Sequence, residues 1–170
     1  MPKPVEGTFP PYFSRYIDLV KEADVLAAFD AQDEMIQHYF ESLEHKADYA
    51  YAPGKWTLKE MLQHIIDTER IFSFRALCFA RKELQNIPGF EEDDYAANSN
   101  ANNRNWKSLC EELKAVRKST RFLFESFSPE TFDSSGSANG KPTTVIAVGF
   151  MIPGHIYHHV NVIKERYLAG

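Results

Sequence analysis

Four stretches of the chain carry apolar residues at mixed three- and four-residue spacings, and none alternates with the period of two that strands require. The first spans about 24–43, with Leu26, Phe29, Met35, Ile36, Tyr39, Phe40 and Leu43 on its apolar side. The second opens at Thr57, where "TLKE" has the form of a capping box: Thr57 accepts from a free first-turn amide and Glu60 reaches back. Its stripe of Leu58, Met61, Leu62, Ile65, Ile66, Ile71, Phe72, Phe74, Leu77 and Phe79 carries the helix to about residue 82. The third spans about 106–127, with Leu109, Leu113, Val116, Thr120, Leu123, Phe124 and Phe127 on its buried side. The fourth spans about 144–168. Pro153 lies inside it, removes one backbone donor, and is expected to kink it just before His155.

The connections differ in kind. "TFPPYFSRYIDLV" (8–20) reads as a proline-rich strap wrapping the outside, and "DYAYAPGKW" (48–56) breaks the pattern at Pro53 and Gly54. "ELQNIPGFEEDDYAANSNANNRN" (83–105) is long, acidic and without period, and loops of that length tend to be lids or binding loops. Residues 86–104 are therefore expected to border a pocket mouth or a subunit interface beside it. "SPETFDSSGSANGKPTT" (128–144) is a linker of turn formers. The expected fold is all-α. It is one domain over 1–170, a four-helix bundle with an N-terminal strap, a long loop between helices two and three, and no substantial sheet.

Composition narrows the function. At 170 residues, 44% hydrophobic and 25% charged, the chain matches a soluble globular domain. A net charge of -5 with scattered basic residues argues against nucleic-acid and membrane partners. No window approaches the roughly 18 apolar residues of a membrane span. "MPKPVEGTFPPYF" lacks the apolar core of a signal peptide, and Cys78 and Cys110 are too few for a disulfide scaffold. A cytoplasmic protein is expected.

Chemistry enters with "GHIYHHVNVIKERY" (154–167). His155 and His159 are four apart and share a helix face, whereas His158 points roughly 80° away. His64, on the second helix, shares its side with Met61, Thr68, Ile71 and Arg75. If helices two and four pack together, His64 meets His155 and His159 in the bundle interior, where such folds build metal sites. Three neutral imidazoles suit Zn²⁺, Ni²⁺ or Fe²⁺, with an open position for water or substrate. His38 and His45 read as solvated. Glu60 lies one turn before His64 and is the one candidate catalytic base, although its capping role already explains it. Arg75 and Arg166 each lie 11 residues, roughly 16 Å along the axis, beyond a histidine. Either could anchor an anionic substrate only at another level of the bundle, and a salt bridge to a carboxylate is the expected role for both.

"APGKWTLKEMLQHIIDTER", "PGFEEDDY" and "GHIYHHVNVIKERYL" together resemble the DinB/YfiT-like superfamily of bacterial four-helix-bundle metalloproteins, over about 24–168. That resemblance implies one metal-binding histidine from the second helix and an H-x-x-x-H pair from the fourth, which fall on His64, His155 and His159. It implies that His158 is the neighbouring, non-ligating histidine. Members include thiol S-transferases, thiol-dependent isomerases and homodimers. The expected function is therefore a metal-dependent enzyme acting on a small molecule, with thiol S-transferase-like chemistry and a low-molecular-weight thiol foremost. A metal-dependent hydrolase and a non-catalytic metal-binding bundle are the alternatives, and a homodimer is expected.

Overall fold

The computed structural model describes residues 2–169, apart from the side chain of Gln37, and it is built mainly of helices. Asp24 caps α2 (Val25–His38) through its carboxylate, which accepts from the amides of Leu26 and Ala27. The first apolar period runs on to residue 43, but α2 stops at His38 and the remainder is a 3₁₀ segment, Glu41–Lys46. Thr57 and Glu60 form the expected capping box at the start of α3 (Leu58–Ala80). α5 (Trp106–Glu125) is capped by Asn105, and α6 (Val145–Val162) by Thr144. α6 runs through Pro153 without a break and ends in a π turn, Ile163–Tyr167.

Among the four long helices, α3 packs on α5 and α6, and α2 closes the bundle against the same two. Cross-helix bonds give the directions. Glu69 meets Arg117 and, one turn on, Ser73 meets Thr120, so contacts advance in the same direction along α3 and α5 and the two run parallel. His64 meets His155 and His159, while Trp56 meets Tyr167, so α6 runs antiparallel to α3. A parallel α3–α5 pair needs a connection that travels the length of α3, about 35 Å at 1.5 Å per residue. That crossover is the long acidic segment. It is not structureless: it contains α4 (Glu92–Asn98) and a 3₁₀ turn, Ala101–Asn103, and it buries Ala96 and Ala101. Its far end is pinned to the start of α3, where Asn102 donates to Glu60 Oε1 and accepts from the Thr57 hydroxyl.

Two further expectations are corrected. The linker after α5 holds a small antiparallel hairpin, β1 (Ser135–Ala138) with β2 (Lys141–Thr144), closed by Asn139-Gly140 at φ 51° and 69°. Both central residues are left-handed, as the tightest hairpin turn demands. The N-terminal strap does not wrap the outside. Its short α1 (Ser14–Ile17) lies on α6 with Tyr16 and Ile17 buried. Gly154 makes this approach possible, because a Cβ there would stand 2.2 Å from the Tyr16 carbonyl oxygen.

The apolar core is divided in two. One cluster holds Phe29, Phe72, Phe124 and Ile152, and the other Ile36, Ile66, Leu113 and Ile156. Between them each long helix contributes buried polar groups at one level: Gln32 from α2, Thr68 and Glu69 from α3, Arg117 and Thr120 from α5, His155 from α6. Phe74 and Leu77, placed on the α3 stripe by sequence, instead face outward at 54% and 36% exposure.

Candidate metal centre

The three histidines meet in this polar belt. His64 Nε2 lies 3.1 Å from His155 Nε2 and 3.2 Å from His159 Nε2, and the last two are 2.9 Å apart. All three side chains are buried. Burial first, then mutual repulsion, holds the pKa values of His155 and His159 well below the ordinary value. Burial likewise lowers His64 to about 4, against a raising influence from Asp93. At neutral pH the cluster is thus three uncharged imidazoles. Three Nε2 atoms cannot all satisfy one another, since in a neutral ring Nε2 is either a donor or an acceptor and at least two of the three must then be alike. Metal–nitrogen bonds of about 2.0–2.1 Å at angles near 90–109° separate their donors by about 2.9–3.4 Å, so this donor set fits a divalent ion.

Aromatic packing fixes the rings. The Trp56 ring lies 4.8 Å from His64, Tyr16 5.4 Å from His155 edge-on, and Phe72 6.0 Å from His155. Trp56 is held in turn by Tyr167, whose hydroxyl donates to the Trp56 carbonyl at 2.7 Å. Nδ1 of His159 is buried without a hydrogen bond, so packing rather than an outer acceptor orients that ring. His158 is half-buried against Tyr16 and stands outside the cluster.

Beside the histidines the belt closes into an ion pair. Arg117 donates through Nε and Nη2 to both oxygens of Glu69 at 2.9 and 3.0 Å, and through Nη1 to Gln32 at 3.0 Å. Gln32 donates onward to the Pro153 carbonyl at 2.7 Å, two residues before His155. The network ties α2, α3, α5 and α6 together at the level of the site.

His64 and His155 also line a cavity of about 420 Å³ with aromatic walls from Phe13, Phe72, Phe79 and Phe90. Gly89, Phe90, Glu91 and Glu92 of the crossover and Ala138, Asn139 and Lys141 of the hairpin form its rim. The crossover therefore borders the pocket, as its length and polarity led one to expect. The hairpin is bonded to it: Ile87 N–H donates to Ser137, Asn139 N–H donates to Ile87, and Asn86 accepts from Gly140 N–H and the Ser137 hydroxyl. Glu60 has both carboxylate oxygens engaged, one by the Thr57 amide and one by Asn102, and takes the structural role of its capping box. His38 and His45 are exposed. Arg166 is exposed and Arg75 buried, and among the described residues neither forms the expected salt bridge. Sequence reasoning missed Tyr16, Trp56 and Arg117. The first two lie in segments without period, and Arg117 sits among other charged residues of α5.

A family model described as the DinB superfamily matches residues 28–163. Among solved structures the chain is similar to YfiT from Bacillus subtilis, described as a probable metal-dependent hydrolase with an unusual four-helix bundle topology. The two superpose with a TM-score of 0.66 at 17% identity, covering 96% of this chain and 90% of that one. At that identity the likeness establishes the fold. No curated protein matches.

Proposed function

We propose that this chain, which belongs to the DinB superfamily, is a divalent-metal-dependent hydrolase of small molecules. The reading rests on one observation: three buried, neutral imidazoles converge on a point that borders a cavity large enough for a small-molecule substrate. His64, His155 and His159 are the ligands. A divalent ion held there would supply Lewis acidity, polarising a substrate carbonyl and lowering the pKa of water.

The chain's own residues do the rest. Phe13, Phe72, Phe79 and Phe90 exclude bulk water from the cavity and hold an apolar substrate body. Glu92, in the first turn of α4, lines the same cavity as Tyr16 and His155. Its carboxylate accepts the proton that hydrolysis releases, a role Glu60 is not free to take. The similar protein YfiT is described as a probable metal-dependent hydrolase, in agreement with this chemistry, whereas thiol S-transfer finds no support in the comparisons.

The test is a Co²⁺-loaded chain offered phenyl acetate and, separately, small thiols. Hydrolysis that falls at least tenfold in Glu92→Gln, with an unchanged Co²⁺ spectrum, supports the proposal. Thiol ligation of Co²⁺ without ester hydrolysis returns the thiol reading to the front. The proposal extends to a cytoplasmic homodimer. Cys78 and Cys110 are both free, and Phe74 and Phe122 are exposed on adjacent helices. Light scattering of the full chain tests the dimer. Among the described residues no helix is long and apolar enough to cross a membrane.

A further inference from the structure

Arg75 lies in the α3 wall of the same cavity, 8% exposed. Its Nη2 donates to the Pro88 carbonyl at 3.2 Å, and its Nε is buried with no hydrogen bond. Among the described residues no carboxylate pairs with it. Burial lowers its pKa with no opposing charge, in agreement with that isolation. A guanidinium withdrawn from water without a counter-ion is costly, and such groups are ordinarily paired. Thr68 Oγ1, also in the cavity wall, is a second buried polar atom without a partner. It stands one turn beyond His64 and two turns before Arg75, on the same helix face.

The cavity has a length as well as a charge. The Phe72 ring stands 6.0 Å from the His155 ring and 6.0 Å from the Arg75 guanidinium carbon, which bounds their separation at about 12 Å. The path between them is walled by aromatic rings. Glu91 and Glu92 sit at the exposed rim, outside ion-pair distance of Arg75, with Lys141 among the other rim residues.

We propose that the cavity takes a small carboxylate-bearing molecule, its anionic end on Arg75 and its apolar body along Phe72, with the ester or amide to be cleaved at the three histidines. The Thr68 hydroxyl donates to a polar atom midway. This substrate class rests on the hydrolase reading, but the anion site can be tested without turnover.

Calorimetric titration of the full metal-loaded chain with 4-phenylbutanoate and its neutral counterpart, 4-phenylbutanamide, reads the charge preference directly. The carboxylate is expected to bind at least tenfold more tightly. Arg75→Gln should abolish that preference while leaving the amide unchanged, and Arg75→Lys should retain part of it. Equal binding of the two probes to the native chain, or no binding of 4-phenylbutanoate at millimolar concentration, overturns the site even if the variants fail to fold. A preference that survives Arg75→Gln and disappears in His64→Ala puts the carboxylate on the metal and also overturns it. If the chain holds no metal yet shows the Arg75-dependent preference, the anion site stands and the hydrolase reading alone falls.

Discussion

The Glu69–Arg117 pair and the three histidines share one level of the bundle, between the two apolar clusters, yet their polar atoms meet different fates. In the first, every strong donor finds an acceptor: a bidentate guanidinium–carboxylate pair, then Gln32, then the Pro153 carbonyl. In the second, three like nitrogens are pressed to about van der Waals contact or closer, none carries charge, and His159 Nδ1 has no partner. A satisfied buried network rigidifies a fold, whereas a convergent unsatisfied one stores a binding site. The closed cluster also lies where it can hold the open one in place, since its last bond lands two residues from His155.

The contrast breaks most sharply under mutation. Arg117→Met leaves Glu69 buried and unpaired, and should cost about 3–5 kcal/mol of unfolding free energy, measured by urea denaturation. A loss under about 1 kcal/mol would mean that the pair does not organise the core. Acid is the next lever. The metal-free chain holds its histidines neutral, so the unfolded chain binds more protons below the ordinary histidine pKa. Stability is then complete above about pH 6.5 and lost as pH falls towards the folded value. For His64, lowered from 6.5 to about 4, linkage gives about 3 kcal/mol across that window, with further loss from the other two. Denaturation curves at pH 7 and 4.5 that coincide would contradict this.

Smaller effects separate the clusters further. Gly154→Ala drives a methyl into the Tyr16 carbonyl, and should cost about 1–3 kcal/mol while loosening the strap over His155, seen as faster amide exchange in 14–17. The smallest effect belongs to the metal-free histidines. His159→Leu should change the stability of the metal-free chain by no more than about 1 kcal/mol, because it deletes a buried ring nitrogen, Nδ1, that has no partner. The same change in the metal-loaded chain should remove the whole metal contribution.

Much of this was readable in the sequence. The capping box at Thr57, the four apolar periods and the shared face of His155 and His159 follow from local spacing, and local spacing survives into the structure. What was not readable is what depends on direction and close approach. The length of the crossover was plain, but not its cause, the parallel course of α3 and α5. The strap looked peripheral because it has no period. Only Gly154 hinted at backbone contact, and a glycine before a histidine cluster has many readings. The hairpin carried a signal that composition hid: Asn139-Gly140 is among the dipeptides its turn type strongly prefers. Arg75 was placed on the histidine stripe and assigned a salt bridge, because sequence cannot show that no carboxylate reaches it. Pairing across a cavity is settled by packing, not by spacing.

Function here turns on the convergence of His64, His155 and His159 on one divalent ion, and metal analysis of the chain prepared without a histidine tag tests it most directly. Mass spectrometric metal content should be near one divalent ion per chain. Single alanine substitutions at His64, His155 and His159 should each lower affinity for Zn²⁺ or Ni²⁺ by at least a hundredfold, and His158→Ala far less. A chain that takes up no ion at micromolar Zn²⁺ or Ni²⁺, or one whose affinity falls as much in His158→Ala as in His159→Ala, would contradict it.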